Sequence, residues 1–123
     1  MKLITASVLA LVLGTGCATT PAPGTRAVDG VLVGPTGMTL YTFARDTAGS
    51  GKSACNGQCA ANWPPLAAPA DASPRDGYSV VTRDDGSKQW AYQGQPLYYW
   101  AKDAKPGDRT GDGVAGAWKL ARP

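Results

Sequence analysis

The cysteines are the most reactive side chains of this 123-residue chain, which contains no histidine. Cys55 and Cys59 are separated by Asn-Gly-Gln, and outside the cytoplasm an isolated pair of cysteines forms a disulfide by default. Closing a loop of about five residues contributes about 2 kcal/mol in the chain-entropy model. The alternative is a redox or Cu(I) site that uses the thiolates and the thioether of Met38, because soft sulfur ligands suit Cu(I). We predict a structural disulfide and keep this alternative open.

Aspartates are the other candidates for chemistry, and they account for all nine acidic residues. Asp46 and Asp103 each follow an aromatic segment and precede a loop that contains glycine. A carboxylate at such a place accepts backbone N–H bonds and starts a turn. The alternative, an acid–base pair, needs both carboxylates at one cleft. Asp108 and Asp112 lie in a glycine-rich loop, but their spacing does not fit an EF-hand, so we predict turns and no metal.

The composition excludes several classes of function. Without histidine the chain has no Ser-His or Cys-His pair and no zinc ligand of that type. It also lacks a phosphate loop and a dinucleotide fingerprint. The net charge is +3, and no two Lys or Arg residues are adjacent, so nucleic-acid binding has no electrostatic basis. We therefore expect no catalytic residues, no cofactor and no nucleic-acid partner.

Residues 1–16 have the composition of a signal peptide. Lys2 is positively charged, residues 3–13 are apolar, and small residues lead to Cys17. The apolar run is too short for a transmembrane helix. The segment Leu-Gly-Thr-Gly-Cys at 13–17 resembles the lipobox of bacterial lipoproteins, although Gly14 stands where leucine is usual. This resemblance implies acylation of Cys17; the alternative is an ordinary cleaved signal with an incidental cysteine.

The residue after Cys17 bears on localisation. In the sorting rule of Gram-negative lipoproteins, a residue other than aspartate, here Ala18, implies transport to the outer membrane. We therefore expect a protein that is secreted through the inner membrane, anchored by its lipid and facing the periplasm. Residues 17–27 are small and proline-rich and predict a flexible tether, which leaves 28–123 as one small domain.

An internal repeat organises this domain. The sequence Leu-Tyr-Thr-Phe-Ala-Arg-Asp at 40–46 returns as Leu-Tyr-Tyr-Trp-Ala-Lys-Asp at 97–103. Each copy alternates as a half-buried strand does, and each leads through a loop to a tryptophan. We predict two pseudo-symmetric repeats, at about 28–68 and 78–123. The residues that the repeat motif places in structural roles are Tyr41, Phe43, Asp46, Tyr98, Trp100 and Asp103.

Composition and turn signals predict an all-β fold with about six strands and long glycine-rich loops. Glycine occurs 16 times and proline 10 times, which leaves little room for long helices. We expect two hairpins, one from 28–33 and 38–44 and one from 78–83 and 88–92, and a strand at 97–101. The predicted core contains Tyr41, Phe43, Trp63, Trp100 and Trp118.

These motifs together resemble the predicted bacterial lipoproteins with a repeated Y-x-(FWY)-x-x-D motif, also called the secreted repeat of unknown function. The resemblance rests on the doubled motif, on the run from Cys55 to Leu66 and on the loop at 107–114, and it covers about 30–121. Asp112 stands where glutamine is common in the family. The resemblance implies a secreted or lipid-anchored protein and supplies no catalytic residues.

The sequence therefore predicts a lipid-anchored envelope module that is structural or that binds an envelope protein or a surface polymer. The membrane is its second partner, through the lipid on Cys17. The alternative is a redox or Cu(I)-handling lipoprotein that uses Cys55 and Cys59.

Overall fold

The computed structural model describes residues 23–123. The predicted signal peptide, Cys17 and most of the predicted tether lie outside the described residues. The described chain contains seven short strands, one short α-helix and one 3₁₀ turn, and the all-β fold class is confirmed. The strands are β1 (Arg26–Val28), β2 (Val31–Val33), β3 (Tyr41–Phe43), β4 (Tyr78–Thr82), β5 (Lys88–Tyr92), β6 (Gln95–Pro96) and β7 (Trp118–Leu120); the helix α1 is Gln58–Asn62 and the 3₁₀ turn is Val114–Gly116.

The strands form three small antiparallel sheets. β1 pairs with β2, β3 pairs with β7, and β4, β5 and β6 form a three-stranded sheet in that order. The predicted hairpin of 78–83 with 88–92 is confirmed as β4 and β5. β1 begins at Arg26, two residues before residue 28, where the sequence places the start of the domain.

The predicted first hairpin is only partly formed because a tight turn divides its first strand. Asp29 and Gly30 both have positive φ, 51° and 78°, and they join β1 to β2. A two-residue hairpin loop of type I′ requires positive φ at both positions, and Asp-Gly is a favoured sequence for it. β2 therefore pairs with β1 along its length and keeps the predicted hairpin only through a β-bridge from Val33 to Thr39 and a hydrogen bond from Leu40 N to Leu32 O. β3 pairs with β7.

The predicted strand at 97–101 is also absent as a regular element. Gln93 and Gly94, with φ of 50° and 85°, make a second two-residue turn and send β6 back along β5. Within residues 97–101 only Tyr98 forms β-bridges, to Tyr41 and to Pro65. The segment is extended, but it lies between two neighbours and has no continuous ladder with either.

The two repeats are interlocked through these segments. The backbones of Tyr41 and Tyr98 exchange hydrogen bonds of 2.8 and 3.0 Å. Each motif segment then pairs with the end of the other repeat, because Ala121 N donates to Leu40 O and Leu66 N donates to Leu97 O, both at 2.9 Å. These backbone contacts of one repeat thus have counterparts in the other, which is a pseudo-twofold arrangement.

A stack of four aromatic rings crosses the pseudo-twofold axis. Successive ring centroids are 4.2, 3.7 and 3.9 Å apart in the order Phe43, Trp118, Trp63, Trp100. Phe43, Trp63 and Trp118 are buried, as is Tyr41, whereas Trp100 is half-buried at the end of the stack. The core prediction therefore holds for four of its five residues, and Trp100 closes the core at the surface.

Candidate functional site

The motif tyrosines and aspartates bond to each other across the repeat boundary. Tyr41 Oη of the first repeat donates to Asp103 Oδ2 of the second at 2.7 Å. Tyr98 Oη of the second repeat donates to Asp46 Oδ2 of the first at 2.6 Å. All four side chains are buried. The conserved order of the motif in the two copies thus produces two reciprocal hydrogen bonds in the core.

The other oxygen of each carboxylate binds the loop that follows it. Asp46 Oδ1 accepts the backbone N–H of Ala54 at 2.7 Å. Asp103 Oδ1 accepts the backbone N–H of Thr110 at 3.0 Å and the Thr110 hydroxyl at 2.6 Å. These bonds fit the turn role that the sequence predicts for both aspartates. Each carboxylate therefore holds its own loop with one oxygen and the opposite repeat with the other.

Burial controls the ionisation of these groups. Desolvation, together with the neighbouring carboxylates, raises the pKa of the Tyr41 and Tyr98 hydroxyls well above the ordinary value, so both are protonated donors. Desolvation also raises the pKa of Asp46, against the hydrogen bonds from Tyr98 and Ala54 and the positive charge of Arg83. An acid–base pair would need both carboxylates at one cleft, and Asp103 does not line the cleft to which Asp46 contributes.

Arg83 is a buried cation that the sequence reasoning missed. Its side chain is 5% exposed and donates to Ser53 Oγ at 3.1 Å, to Gln89 Oε1 at 2.7 Å and to the carbonyl of Cys55. Ser53 in turn is hydrogen bonded to Tyr98 Oη at 2.7 Å. The sequence contains an indication of this burial, because Val81 and Arg83 lie on the same face of an extended segment and valine favours the core. Arg83 thus links the disulfide loop to the motif tyrosine.

Cys55 and Cys59 form a disulfide with their Cα atoms 5.2 Å apart. Cys55 is fully buried and Cys59 half-buried, and α1 includes Cys59. The bridge closes the loop from which Ser53 and Ala54 reach the buried polar network. Met38 lies in the turn between β2 and β3, where its carbonyl accepts the N–H of Gly34. A Cu(I) or redox role for the cysteines stays a prediction.

The second glycine-rich loop uses its aspartate in a turn. Asp108 accepts the backbone N–H groups of Ala104 and Lys105 at 2.8 and 3.1 Å and forms an ion pair with the Lys105 ammonium. These bonds lower the pKa of Asp108. Within residues 23–123 no three Cys, Asp, Glu or His side chains are grouped as metal ligands would be.

One open cleft of about 390 Å³ lies beside the β3–β7 sheet. β3 and β7 form one wall, and the turn between β5 and β6 forms another. Its lining combines two cations, two side-chain amides, aromatic rings and a single carboxylate. The residues that supply these groups are Phe43, Asp46, Tyr92, Gln93, Gln95, Lys119 and Arg122. Of the six residues that the repeat motif specifies, only Phe43 and Asp46 line it, beside Thr42, Ala44 and Leu97. This cleft is the candidate binding site.

Two segments of the chain, residues 25–67 and 79–122, match the model of a family described as a secreted repeat of unknown function. Comparison with curated proteins and with solved structures found no match. No helix among residues 23–123 has the length and apolar character needed to cross a membrane. The matched segments cover more than half of the chain and correspond to the two interlocked repeats. The chain therefore belongs to the family of secreted repeats of unknown function, which is consistent with its export from the cytoplasm.

Proposed function

We propose that this protein is a lipid-anchored, non-catalytic binding module of the cell envelope. The observation that carries the proposal is the reciprocal bonding of Tyr41 with Asp103 and of Tyr98 with Asp46. These hydrogen bonds occupy the groups of the motif in the core. The motif is then a scaffold, and function belongs to the surface that the scaffold holds in place.

The anchor follows from the N-terminal sequence. Acylation of Cys17 would attach the chain to a membrane, and two or more acyl chains make a stable anchor. The segment between Cys17 and the first strand would act as a tether, and Ala18 favours the outer membrane, with the domain facing the periplasm. Membership of a family of secreted repeats supports export.

Binding is favoured over catalysis by the state of the polar groups. Asp46 is the carboxylate in the cleft, and both of its oxygens already accept hydrogen bonds from the protein. The cations and amides of the cleft can hold a ligand but supply no general base near neutral pH. The partner is therefore an envelope protein or a surface polymer that occupies this cleft.

The anchor is tested by expressing the full chain and its Cys17→Ser variant in a Gram-negative host fed an alkyne-tagged fatty acid. We expect the wild-type protein to carry the label and to sediment with the outer membrane. The variant should be unlabelled. An unlabelled wild-type protein, or labelling of both proteins to the same degree, would contradict the anchor.

Binding is tested in the same cells with a photo-crosslinking amino acid at position 93. Gln93 is exposed and lines the cleft, whereas Ser73, the matched control position, is exposed and does not. We expect one discrete cross-linked species from position 93 and none from position 73. The absence of cross-linking at position 93 at native expression levels would refute binding at this cleft.

A further inference from the structure

The two repeats differ at the place where the cleft opens. Position 42 of the first motif is threonine, and its counterpart in the second motif is Tyr99. The Tyr99 ring packs on Gly34 so closely that a Cβ atom there would lie 2.2 Å from Tyr99 Oη. In the second repeat a tyrosine therefore fills the space beside its motif segment, and a glycine makes room for it.

Beside the first motif the small residue lies in the motif itself, and the large residue lies at the position equivalent to Gly34. Leu32 and Trp90 occupy equivalent positions, since their carbonyls accept the N–H groups of Leu40 and Leu97. Two residues further along each segment, Tyr92 is then the counterpart of Gly34. Tyr92 packs against Tyr78, with ring centroids 4.8 Å apart, and leaves the space beside the short Thr42 side chain open. The cleft is thus the unfilled counterpart of the Tyr99 pocket.

The cleft also differs from its counterpart in charge. Lys119 and Arg122 line it, and the pairing of Ala121 with Leu40 and of Leu66 with Leu97 makes Pro64 and Ala67 their counterparts. The space beside Thr42 is therefore open and has two cations in its lining, whereas the equivalent space beside the second motif is filled and has uncharged residues at the positions equivalent to these cations. This coincidence is expected of a ligand site and is not needed for packing.

The polar groups of the cleft are available to a ligand. Within residues 23–123 the side chains of Gln93, Gln95 and Lys119 make no hydrogen bond or ion pair. Arg122 uses one nitrogen, which donates to Gly30 O at 3.1 Å, and its other donors are unengaged. Asp46 is the one acid of the lining, and its oxygens turn to Tyr98 and Ala54. The free groups are therefore cations and amides.

We propose that the cleft binds an anionic saccharide unit, that is, a sugar ring that carries a carboxylate or a phosphate. Lys119 and Arg122 would hold the anion, and the amides of Gln93 and Gln95 would bond the hydroxyl groups. The half-buried Tyr92 ring offers an apolar face to the C–H side of the sugar. A volume of about 390 Å³ suits a small ligand of one or two rings. The inference rests on the proposed binding function and names its ligand class.

The test is titration calorimetry of the full acylated chain in detergent micelles at low and at physiological salt. The probes are a glucuronate disaccharide, glucosamine 1-phosphate, neutral maltose and inorganic phosphate. We expect the two anionic sugars to bind at least tenfold more tightly than maltose or phosphate, with affinity falling as salt rises. Binding of only one of the two identifies the source of the anion as carboxylate or phosphate. Equal binding of maltose, or binding of phosphate alone, would overturn the assignment.

Two sets of variants localise the site. Lys119→Gln and Arg122→Gln should each weaken the anionic sugar by about tenfold, since a charge-assisted hydrogen bond is lost. Lys52→Gln, which changes an exposed lysine outside the cleft, should have no effect. Thr42→Tyr, which places in the first repeat the residue that fills the second, should abolish binding, and Thr42→Ser should retain it. An unchanged melting curve for the Thr42→Tyr variant shows that its fold is intact.

The two proposals can fail separately. If no saccharide binds while position 93 still cross-links to a partner in cells, the ligand class is wrong and the binding module stands. If neither experiment gives binding, both fail. If the saccharide binds with equal affinity to the Thr42→Tyr variant, the ligand sits elsewhere and the cleft is not the site.

Discussion

Tyr98 of the second repeat and Asp46 of the first are joined by a hydrogen bond of 2.6 Å that crosses the repeat boundary. Tyr41 and Asp103 make the same bond in the opposite direction at 2.7 Å. A repeat folded alone would therefore bury a tyrosine and an aspartate whose partners are absent. Because buried polar groups without partners are costly, the two repeats must fold together.

Removing one of these hydroxyl groups should destabilise the whole domain. Tyr98→Phe leaves Asp46 Oδ2 and the Ser53 hydroxyl without their shared partner, and Tyr41→Phe does the same to Asp103 Oδ2 and Gly111 N. We expect each change to lower the free energy of unfolding by about 1–3 kcal/mol, measured by urea denaturation.

Tyr99→Phe is the matched control for these variants. Tyr99 is half-buried, and its hydroxyl makes no hydrogen bond within residues 23–123. Its removal should change the free energy of unfolding by less than about 0.5 kcal/mol. Equal effects of all three substitutions would show that the loss comes from general packing and not from the bonds between the repeats.

The sequence was sufficient for the fold class and the core, because these depend on local patterns. The doubled motif, the abundance of glycine and proline, and the alternation of aromatic residues predict an all-β fold of two repeats. The hairpin of β4 and β5 follows from alternation and an Asp-Asp-Gly turn signal. The first hairpin forms only near its turn, because the Asp29-Gly30 turn divides the segment that the alternation predicts as one strand.

The interlocking of the repeats was beyond local reasoning. Nothing near position 41 in the sequence says that its hydroxyl bonds Asp103 and not an aspartate of the same repeat. The cleft has the same origin, since it depends on which residue faces Thr42 across a non-local contact. The two motif copies contain one visible sign of the cleft, since Thr42 in the first copy corresponds to Tyr99 in the second.

Asp46 should make the stability depend on pH with an unusual sign. Burial raises its pKa above the ordinary value of 3.8, so the folded protein binds this proton more tightly than the unfolded chain. The contribution of Asp46 to stability is then complete below the unfolded pKa and is lost as the pH rises through the folded pKa. We expect the difference in unfolding free energy between the wild type and Asp46→Asn to decrease between about pH 3 and pH 7.

The measurement is urea denaturation of the two proteins across this pH range. Asp71→Asn provides the control, because Asp71 is exposed and makes no hydrogen bond or ion pair within residues 23–123. Its difference from the wild type should stay flat. A difference for Asp46→Asn that increases with pH would mean that its hydrogen bonds and the charge of Arg83 outweigh burial.

The disulfide should stabilise the folded protein by closing a short loop. Replacing both cysteines by Cys55→Ala and Cys59→Ala should lower the free energy of unfolding by about 2 kcal/mol, the entropy of a loop of about five residues. The redox or Cu(I) alternative predicts something different, namely stoichiometric Cu(I) uptake by the reduced wild-type domain that the double variant loses. Equal Cu(I) uptake by both proteins would refute that alternative. An unchanged free energy of unfolding in the double variant would contradict the stabilising role of the disulfide.

Arg83 should be more important for stability than any exposed cation. Arg83→Met removes the donors to Ser53, Gln89 and the carbonyl of Cys55 and leaves these buried acceptors unsatisfied. We expect a loss of about 3 kcal/mol in unfolding free energy. Arg83→Lys should cause a smaller loss of unfolding free energy than Arg83→Met, because an ammonium keeps the charge but cannot reproduce the planar fork of donors. Arg45→Met, at an exposed position, should change stability by less than about 0.5 kcal/mol.

Gly111 should tolerate no side chain, because the aromatic core closes on it from three sides. A Cβ atom at this position would lie 2.9 Å from both Trp63 and Tyr41 and 3.0 Å from Trp100. Its backbone N–H also donates to Tyr41 Oη, so a displaced backbone would lose that bond. Gly111→Ala should therefore lower the free energy of unfolding by about 1–3 kcal/mol through overpacking. Tryptophan fluorescence should report the change, because Trp63 and Trp100 must leave their stacked position. A variant with wild-type stability and an unshifted emission spectrum would contradict this packing.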